Sequence, residues 1–246
     1  MAADLTEDLL TETNQRVVIV TGGSQGIGAG LVRAYRELGH AVIATSRSIR
    51  PSQDSGIVTV QGDIADPDTA QRVVGEAVER FGRIDTLVNN AGTYIGKPFT
   101  EYTVQDFNAA VAVNLAGFFH ITSRTIKHML ERGAGLVVNL STTLVEHANA
   151  KVPSALASLT KAGLTAATRS LAIEYASRGL RINAVSLGVI KTPVHDERSY
   201  EGAAALHPVA RVGEIEDVVG GVLYLESAPF VTGEILHIDG GQSAGH

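Results

Sequence analysis

A glycine-rich segment near the start of the chain has residue types and spacing that suit phosphate binding. It runs Thr21-Gly22-Gly23-Ser24-Gln25-Gly26-Ile27-Gly28, between an apolar β-branched run and an amphipathic stretch. Glycine lets the backbone adopt positive φ and approach a ligand closely. The N-terminus of the following helix would offer free N–H groups and the positive end of its dipole to a pyrophosphate. The segment therefore predicts a dinucleotide-binding loop between a first strand and a first helix.

The elements that must position this loop alternate between strand and helix along the chain. Expected strands are the apolar runs at residues 16–21, 41–45, 57–60, 86–90, 136–140, 180–186 and 235–239. After the helix that follows the loop, further helices are expected at about 66–81, 104–131, 153–178 and 215–227. Because the strands show no alternation of apolar and polar residues, both faces of the sheet should be covered. The pattern predicts an α/β fold, a doubly wound parallel sheet of Rossmann type with three αβα layers.

Composition limits the organisation and the class of function. We expect a polar arm at residues 1–14 and one domain over residues 15–246. The net charge of −6 gives no electrostatic support to a nucleic-acid partner. No apolar run reaches the length of a membrane span, and the first residues are acidic where a signal peptide would be basic. The absence of cysteine excludes disulfides and thiol catalysis. We expect a cytoplasmic enzyme that acts on a small molecule without a metal.

The spacing Gly-x3-Gly-x-Gly, together with Thr21, resembles that of the short-chain dehydrogenase/reductase family. Other segments agree with this resemblance, which covers residues 15–243. They are Asn89-Asn90-Ala91-Gly92, Asn114 in the following helix, Lys161-Ala-Gly-Leu, Ser170-Leu-Ala-x-Glu174, Thr232-Gly233-Glu234 and Asp239-Gly240-Gly241. The resemblance implies a nicotinamide dinucleotide cofactor and a homotetramer built on the long helices near 104–131 and 153–178, with the last strand in a second interface.

The resemblance also implies which residues contact the cofactor. They are Gly22, Ser24, Gln25, Gly26, Ile27, Gly28, Ser46, Arg47, Asp63, Ile64, Asn90, Ala91, Gly92, Lys161, Gly188, Ile190 and Thr192. The segment after the second strand meets the adenosine ribose in this family, and here it carries Arg47 and no acid. Arginine can bind a 2′-phosphate through two parallel hydrogen bonds. We therefore expect NADP(H). One departure is Leu187-Gly188, where the family has Pro-Gly.

The expected catalytic residues are also implied by the resemblance. In the family a serine orients the substrate, a lysine binds the ribose and lowers a tyrosine pKa, and an asparagine holds a water in a proton relay. Lys161 and Asn114 match the lysine and the asparagine. The serine falls on Ser141 or Thr142, because the segment that follows is about two residues longer than usual.

The tyrosine that donates the proton in this family is absent. Its position, four residues before Lys161, is Ala157. A missing general acid typically costs a factor of 10² to 10⁴ in rate. Another group could supply the proton, namely His147, Tyr94 or a water held by Lys161. Alternatively, the substrate needs no enzymic acid, as with an iminium ion or an activated C=C, or the chain is a Tyr→Ala variant.

The sequence thus predicts an NADP(H)-dependent oxidoreductase, working in the direction of reduction, with a C=N, activated C=C or C=O substrate. The alternative is an NADP-binding sensor or scaffold without turnover. The smaller side chain at position 157 predicts a wider, apolar pocket beside the nicotinamide. A loop at about 190–213, which carries His195, Tyr200 and His207, is expected to cover the substrate.

Overall fold

The computed structural model describes residues 15–193, 200 and 202–245. The polar arm expected at 1–14 and His195 lie outside the described residues. Seven strands form one sheet: β1 (Val17–Thr21), β2 (Ala41–Ser46), β3 (Ile57–Gln61), β4 (Thr86–Asn89), β5 (Gly135–Thr142), β6 (Leu180–Leu187) and β7 (Ile235–Ile238). The six α-helices of this part of the chain are α1 (Gly26–Glu37), α2 (Pro67–Phe81), α3 (Val104–Val111), α4 (Phe118–Arg132), α5 (Ala155–Tyr175) and α6 (Ile215–Ser227).

All strand pairs in the sheet are parallel, and their order is β3-β2-β1-β4-β5-β6-β7. The direction of winding therefore reverses between β1 and β4, and their carboxyl ends diverge into a crevice, the usual ligand position in such sheets. Each face of the sheet buries its own apolar cluster, with residues of α2, α4 and α5 on one face and of α1 and α6 on the other. The predicted three-layer, doubly wound fold is confirmed.

Local sequence signals explain where individual helices begin and end. At the start of α2 the carboxylate of Asp66 accepts a hydrogen bond from the backbone N–H of Asp68, and Pro67 occupies the first helical position. The same helix ends at Gly82, which adopts a left-handed conformation with φ of 67°. No helix within the described ranges is long and apolar enough to cross a membrane.

The helix predicted over residues 104–131 is not a continuous α-helix. Its middle, Ala112–Gly117, is π-helical, and the turns before and after it are α3 and α4. The wider π turn places Asn114 against the site described below, and such bulges frequently occur at functional sites. Sequence periodicity does not detect the interruption because one extra residue in a turn barely changes the apolar pattern. The helix predicted at 153–178 begins at Ala155 and continues past Tyr175 as a 3-10 turn, Ala176–Arg178.

Candidate active site

The glycine-rich loop connects β1 to α1 at the crevice, as predicted. Gly22 and Gly26 adopt positive φ angles of 67° and 55°. A Cβ at Gly28 would collide with the carbonyl oxygen of Gly22, and a Cβ at Gly22 would lie 2.7 Å from Nδ2 of Asn90. Larger side chains at these positions would fill the loop, so the glycines keep its backbone open to a ligand. The geometry suits a pyrophosphate at the N-terminus of α1.

The start of α1 leaves the positive end of its dipole free for such a ligand. Gln25 occupies the N-cap in extended conformation, makes no capping hydrogen bond with its side chain, and no acidic residue lies in the first turn. Ser24 and Gln25 are exposed, whereas Ile27 packs partly against the core cluster of that face. The unpaired N–H groups of this first turn are therefore available to an anion.

Asn90 and Thr21 fix the glycine-rich loop against the end of β4. The Asn90 side-chain amide donates to the carbonyl oxygens of Thr21 (2.8 Å) and Gly22 (3.2 Å). The hydroxyl of Thr21 accepts from the backbone N–H groups of Asn90 (3.0 Å) and Ala91 (2.9 Å). Through these contacts Asn90 and Ala91 hold the glycine-rich loop against the end of β4. Thr21, which the sequence analysis did not select as a site residue, is the common partner.

The residues expected around the adenosine lie at the ends of β2 and β3. Ser46 is the last residue of β2, Arg47 follows it with an exposed side chain, and its carbonyl oxygen accepts from Gln61 at 2.9 Å. Asp63 is exposed, and its carboxylate accepts from the backbone N–H of Ala65 at 3.0 Å, in a local turn. Ile64 is buried. These side chains line the same edge of the sheet as the glycine-rich loop.

Lys161, Asn114 and Gly92 come together from three separate elements. Nζ of Lys161 donates to the carbonyl oxygen of Leu140 at 2.9 Å. A Cβ on Gly92 would lie 2.7 Å from Nζ of Lys161 and 3.4 Å from Oδ1 of Asn114. Gly92 thus permits the lysine and the asparagine to approach the backbone that follows β4.

Both polar atoms of the Asn114 side-chain amide form hydrogen bonds within the protein. Its Oδ1 accepts from the backbone N–H of Thr93 at 2.9 Å, and its Nδ2 donates to the carbonyl oxygen of Thr93 and to the hydroxyl of Thr160, both at 3.0 Å. Asn114 is 1% exposed and Thr160 is fully buried. The asparagine therefore joins the π turn to the helix that carries Lys161. Thr160 was missed in the sequence, because no spacing rule relates position 160 to position 114.

The amine of Lys161 has an unusual proton affinity. Burial without a neighbouring carboxylate lowers its pKa from 10.5 to about 8. At neutral pH the group is still an ammonium, but it releases its proton far more readily than an exposed lysine does. A pKa close to the operating pH is the property expected of a general acid.

The two hydroxyls at the end of β5 have different surroundings. Ser141 is 5% exposed, and its Oγ lies 3.2 Å from Oγ1 of the buried Thr165 on α5. Thr142 is only partly buried, and its hydroxyl accepts a long hydrogen bond, 3.4 Å, from the backbone N–H of Leu144. Thr142 therefore retains a proton to donate and access to solvent, whereas the Ser141 side chain is occupied within the core.

Ala157 lies in the first turn of α5 and is 4% exposed. The 3-10 turn Thr143–Val145 packs against this helix, and Ser158 Oγ donates to the Leu144 carbonyl oxygen at 2.9 Å. The methyl group of Ala157 is therefore buried where this helix meets the turn. The wider pocket expected beside the nicotinamide stays a prediction.

The other two candidates for the proton donor, Tyr94 and His147, differ in their exposure and in the hydrogen bonds they make. The hydroxyl of Tyr94 donates to the carbonyl oxygen of Pro153 at 3.2 Å, and burial followed by the neighbouring Tyr102 raises the pKa of Tyr94. A phenol with a raised pKa gives up its proton less readily. His147 is exposed in the segment after the turn at 143–145, and its backbone N–H donates to Thr143 at 2.9 Å.

The segment after β6, expected to meet the nicotinamide, is held by several hydrogen bonds. Ile190 pairs with Gly213 in an isolated parallel bridge. Thr192 donates its N–H to the hydroxyl of Tyr200 at 2.8 Å, and the same hydroxyl donates to the Thr192 carbonyl oxygen at 3.1 Å. Gly188 lies between His207 and the end of β7. The described parts of the 190–213 loop therefore anchor at both ends to the carboxyl edge of the sheet.

Over residues 22–243 the chain matches the family described as Enoyl-(Acyl carrier protein) reductase. It is 33% identical over 241 residues to the 3-oxoacyl-(acyl-carrier-protein) reductase FabG of Thermotoga maritima, covering 92% of this chain and 97% of that one. It is 35% identical over 248 residues to the cis-4-hydroxycyclohexanecarboxylate dehydrogenase of Sinomonas cyclohexanicum, covering 94% and 97%.

A solved structure described as ElxO with NADP bound has the same fold. It superposes with a TM-score of 0.87 at 30% sequence identity, covering 94% of this chain and all of the other. Because both the sequence and the fold match over nearly the full length of these proteins, the chain belongs to the short-chain dehydrogenase/reductase family of oxidoreductases.

Proposed function

We propose that this protein is an NADP(H)-dependent reductase whose proton donor is Lys161. The observation that carries the proposal is the retention of the Lys161–Asn114–Gly92 arrangement beside a glycine-rich loop, although position 157 is alanine. Lys161 alone would also suit a protein that only bound the dinucleotide, but such a protein would have less need of Asn114, which serves the proton relay in this family. The proposed direction is reduction of a small-molecule substrate.

The residues present fit a phosphorylated nicotinamide dinucleotide. The glycines at 22, 26 and 28 keep open a cradle that side chains would fill, and the first turn of α1 faces it with unpaired N–H groups. The exposed guanidinium of Arg47 follows β2, where a 2′-phosphate would lie in this family. A neighbour of the same fold is described as having NADP bound. When bound, the cofactor would supply a hydride to an electrophilic carbon.

The remaining residues would orient the substrate and provide the proton. Thr142 would donate a hydrogen bond to the substrate heteroatom, because its hydroxyl is accessible while that of Ser141 is occupied by Thr165. The ammonium of Lys161 would donate the proton, directly or through a water. Tyr94 is the weaker candidate for this role because its proton is engaged by Pro153 and its pKa is raised.

The proposed substrate class is a C=N, activated C=C or C=O compound. An ammonium near Thr142 would assist a carbonyl, whose oxygen must be protonated as the hydride arrives. An iminium ion or an activated C=C depends less on an acid in the enzyme. The iminium ion already carries a positive charge, and the activated C=C can take its proton from water. Reduction without an efficient acid would therefore favour the latter two over simple ketones.

A second candidate is an NADP-binding sensor or scaffold. The alanine at position 157 favours it, because the dinucleotide motifs are kept while the general acid of the family is absent. Both candidates would bind NADPH, but only the reductase would consume it with a substrate.

The deciding experiment measures NADPH binding by fluorescence and then NADPH consumption with a panel of ketones, cyclic imines and enones. The chain is compared with Ala157→Tyr and with Ala157→Phe, which has the same ring without the hydroxyl. Turnover of imines or enones by the unaltered chain supports the reductase. Ketone turnover in Ala157→Tyr but not in Ala157→Phe would identify a disabled carbonyl reductase. Binding without turnover in all three would favour the sensor.

The proposed assembly is a homotetramer. Large apolar side chains are exposed on α4 and α5, among them Phe119 (64%) and Ile173 (82%), and Phe230 before β7 is fully exposed. Apolar side chains of this size on two separate surfaces are consistent with two interfaces. Light scattering should give four chains for the unaltered protein and a smaller species for Phe119→Lys. A monomer in both cases would reject the assembly.

A further inference from the structure

We propose that His207 is a positioning residue, which sets the course of the loop after β6 by accepting the backbone N–H of Val189. The inference rests on the proposed NADP(H) function, because that loop is the one expected to meet the nicotinamide. His207 lies at the end of the 3-10 turn Ala203–Leu206 and is 4% exposed. Its Nε2 accepts from the backbone N–H of Val189 at 3.1 Å.

This hydrogen bond assigns the tautomer of the imidazole. The backbone nitrogen of Val189 can only donate, so Nε2 of His207 must carry a lone pair and no proton. The proton of the neutral ring therefore resides on Nδ1. Nδ1 is buried and has no hydrogen-bond partner among the described residues.

The imidazole also packs directly on the loop backbone. A Cβ at Gly188 would lie 2.7 Å from Nε2 of His207 and 2.9 Å from Cα of Asp239. A Cβ at Gly240 would lie 3.1 Å from Cβ of His207. The ring is thus inserted between the loop after β6 and the end of β7, and glycines on both sides make room for it.

The backbone N–H of Val189 uses the side chain of His207 as its acceptor, whereas the neighbouring backbone groups pair with other backbone groups. Gly188 donates its N–H to the carbonyl oxygen of Ile238 at 3.1 Å, and Lys191 donates to that of Gly213 at 2.7 Å. The carbonyl oxygen of Val189 accepts from Gly213 at 2.9 Å. Among these backbone groups, the N–H of Val189 is the one whose acceptor is a side chain. Loss of the His207 imidazole would leave the N–H of Val189 without an acceptor in the middle of the loop.

Within the described part of the chain, Nδ1 of His207 has no acceptor, and the charged groups nearby pair elsewhere. The cavity beside it, about 200 Å³, is also lined by Arg211, Asp217, His237 and Asp239. Arg211 pairs with Asp217, His237 with Glu146, and Asp239 accepts from Gly241, Ser243 and Thr143. Among the described residues, the hydrogen bond to Val189 is therefore the one that the ring makes.

The first test concerns the protein without cofactor. In ¹⁵N-resolved NMR of the imidazoles, His207 should show a protonated Nδ1 and an unprotonated Nε2, and the Val189 amide should exchange slowly. In His207→Leu the Val189 amide should exchange at least tenfold faster, whereas His207→Gln, whose side-chain oxygen can accept, should restore protection. A proton on Nε2, or equal exchange in all three proteins, would overturn the proposal.

The second test separates the two ends of the cofactor. Dissociation constants are measured for NADPH and for adenosine 2′,5′-bisphosphate, which lacks the nicotinamide. His207→Leu should weaken NADPH binding about tenfold and leave the bisphosphate unchanged. His207→Gln should restore NADPH binding, and His237→Leu, on the same cavity, should resemble the unaltered chain. If His207→Leu lowered the affinities for both ligands equally, or lowered neither, the role of His207 would be rejected.

If the unaltered chain binds neither NADPH nor the bisphosphate, the proposed function fails, and the amide exchange of Val189 still decides whether His207 positions the loop.

Discussion

Lys161 on α5 donates a 2.9 Å hydrogen bond to the carbonyl oxygen of Leu140, two residues before Thr142 on β5. The amine is therefore held at the end of the strand that carries the proposed substrate-orienting hydroxyl. On its other side the amine lies close to Gly92, where a Cβ would be 2.7 Å from Nζ. Because the strand and the backbone after β4 both restrain the amine, small changes at these positions should alter catalysis more than stability.

The pH dependence of reduction should report the proton on Lys161. Its pKa is lowered to about 8 by burial, so the amine is charged below that pH and neutral above it. For a ketone substrate, kcat should be nearly constant between pH 6 and 7, should fall to about half by pH 8, and should fall about tenfold per pH unit well above pH 8. Stopped-flow rates at saturating NADPH would measure this. A flat profile to pH 10, or the same break in Lys161→Met, would exclude the lysine as donor.

Gly92→Ala should displace the amine of Lys161. The new Cβ would approach Nζ to 2.7 Å, and the lysine, being flexible, would move away at a small cost in folding free energy. We expect kcat to fall by a factor of about 10² while the melting temperature changes little. Gly75→Ala is the matched control, because its nearest contact on α2 would be 3.9 Å and alanine favours helix. Similar kcat losses in both variants would refute the assignment.

Arg47→Asp should reverse the preference between the two nicotinamide cofactors. The exposed guanidinium would be replaced by a carboxylate that repels a 2′-phosphate and accepts from a ribose hydroxyl. Loss of a charged hydrogen bond predicts that NADPH affinity falls by about ten- to a hundredfold. Fluorescence titration with NADPH and NADH would measure the ratio. Arg50→Asp, a nearby exposed arginine, should leave that ratio unchanged, and an equal effect would exclude Arg47 as the phosphate ligand.

Asp85 should govern acid stability at the amino end of the sheet. Burial alone would raise its pKa, but hydrogen bonds from Arg83, the Val17 N–H and Arg132 hold the pKa below its ordinary value. Because the folded-state pKa is depressed, this stabilisation is present above about pH 4 and is lost as the pH falls through the folded-state pKa.

Asp85→Asn tests this stabilisation. At pH 7 the variant should lose about 3 kcal/mol of unfolding free energy, because two arginines would be left with a neutral partner. The difference from the unaltered chain should shrink below pH 4 in urea titrations. Glu76→Gln, which breaks the exposed pair with Arg80, should cost less than about 1 kcal/mol. A loss of equal size at pH 7 and pH 2.5 would contradict the assignment.

Much of the fold could be predicted from the sequence because its signals are local. The apolar runs predicted all seven strands to within two residues, and Asp66 and Pro67 marked the start of α2. The glycine spacing indicated the cradle, since positive φ and close approach are properties of the residue itself. The π turn at Ala112–Gly117 was not predicted, because it depends on packing around Asn114.

The sequence alone was therefore enough to predict the class of fold and the glycine-rich cradle, and it places an alanine at position 157, where the family resemblance implies a tyrosine. Only the tertiary structure decided that the hydroxyl of Ser141 is hydrogen bonded to Thr165, and that the methyl group of Ala157 is buried. It also joined Asn114 to Thr160 and His207 to Val189. These pairs are separated by 18 to 46 residues, so no local pattern encodes them. They form only when the parallel strands and their crossover helices bring the carboxyl ends of the sheet together.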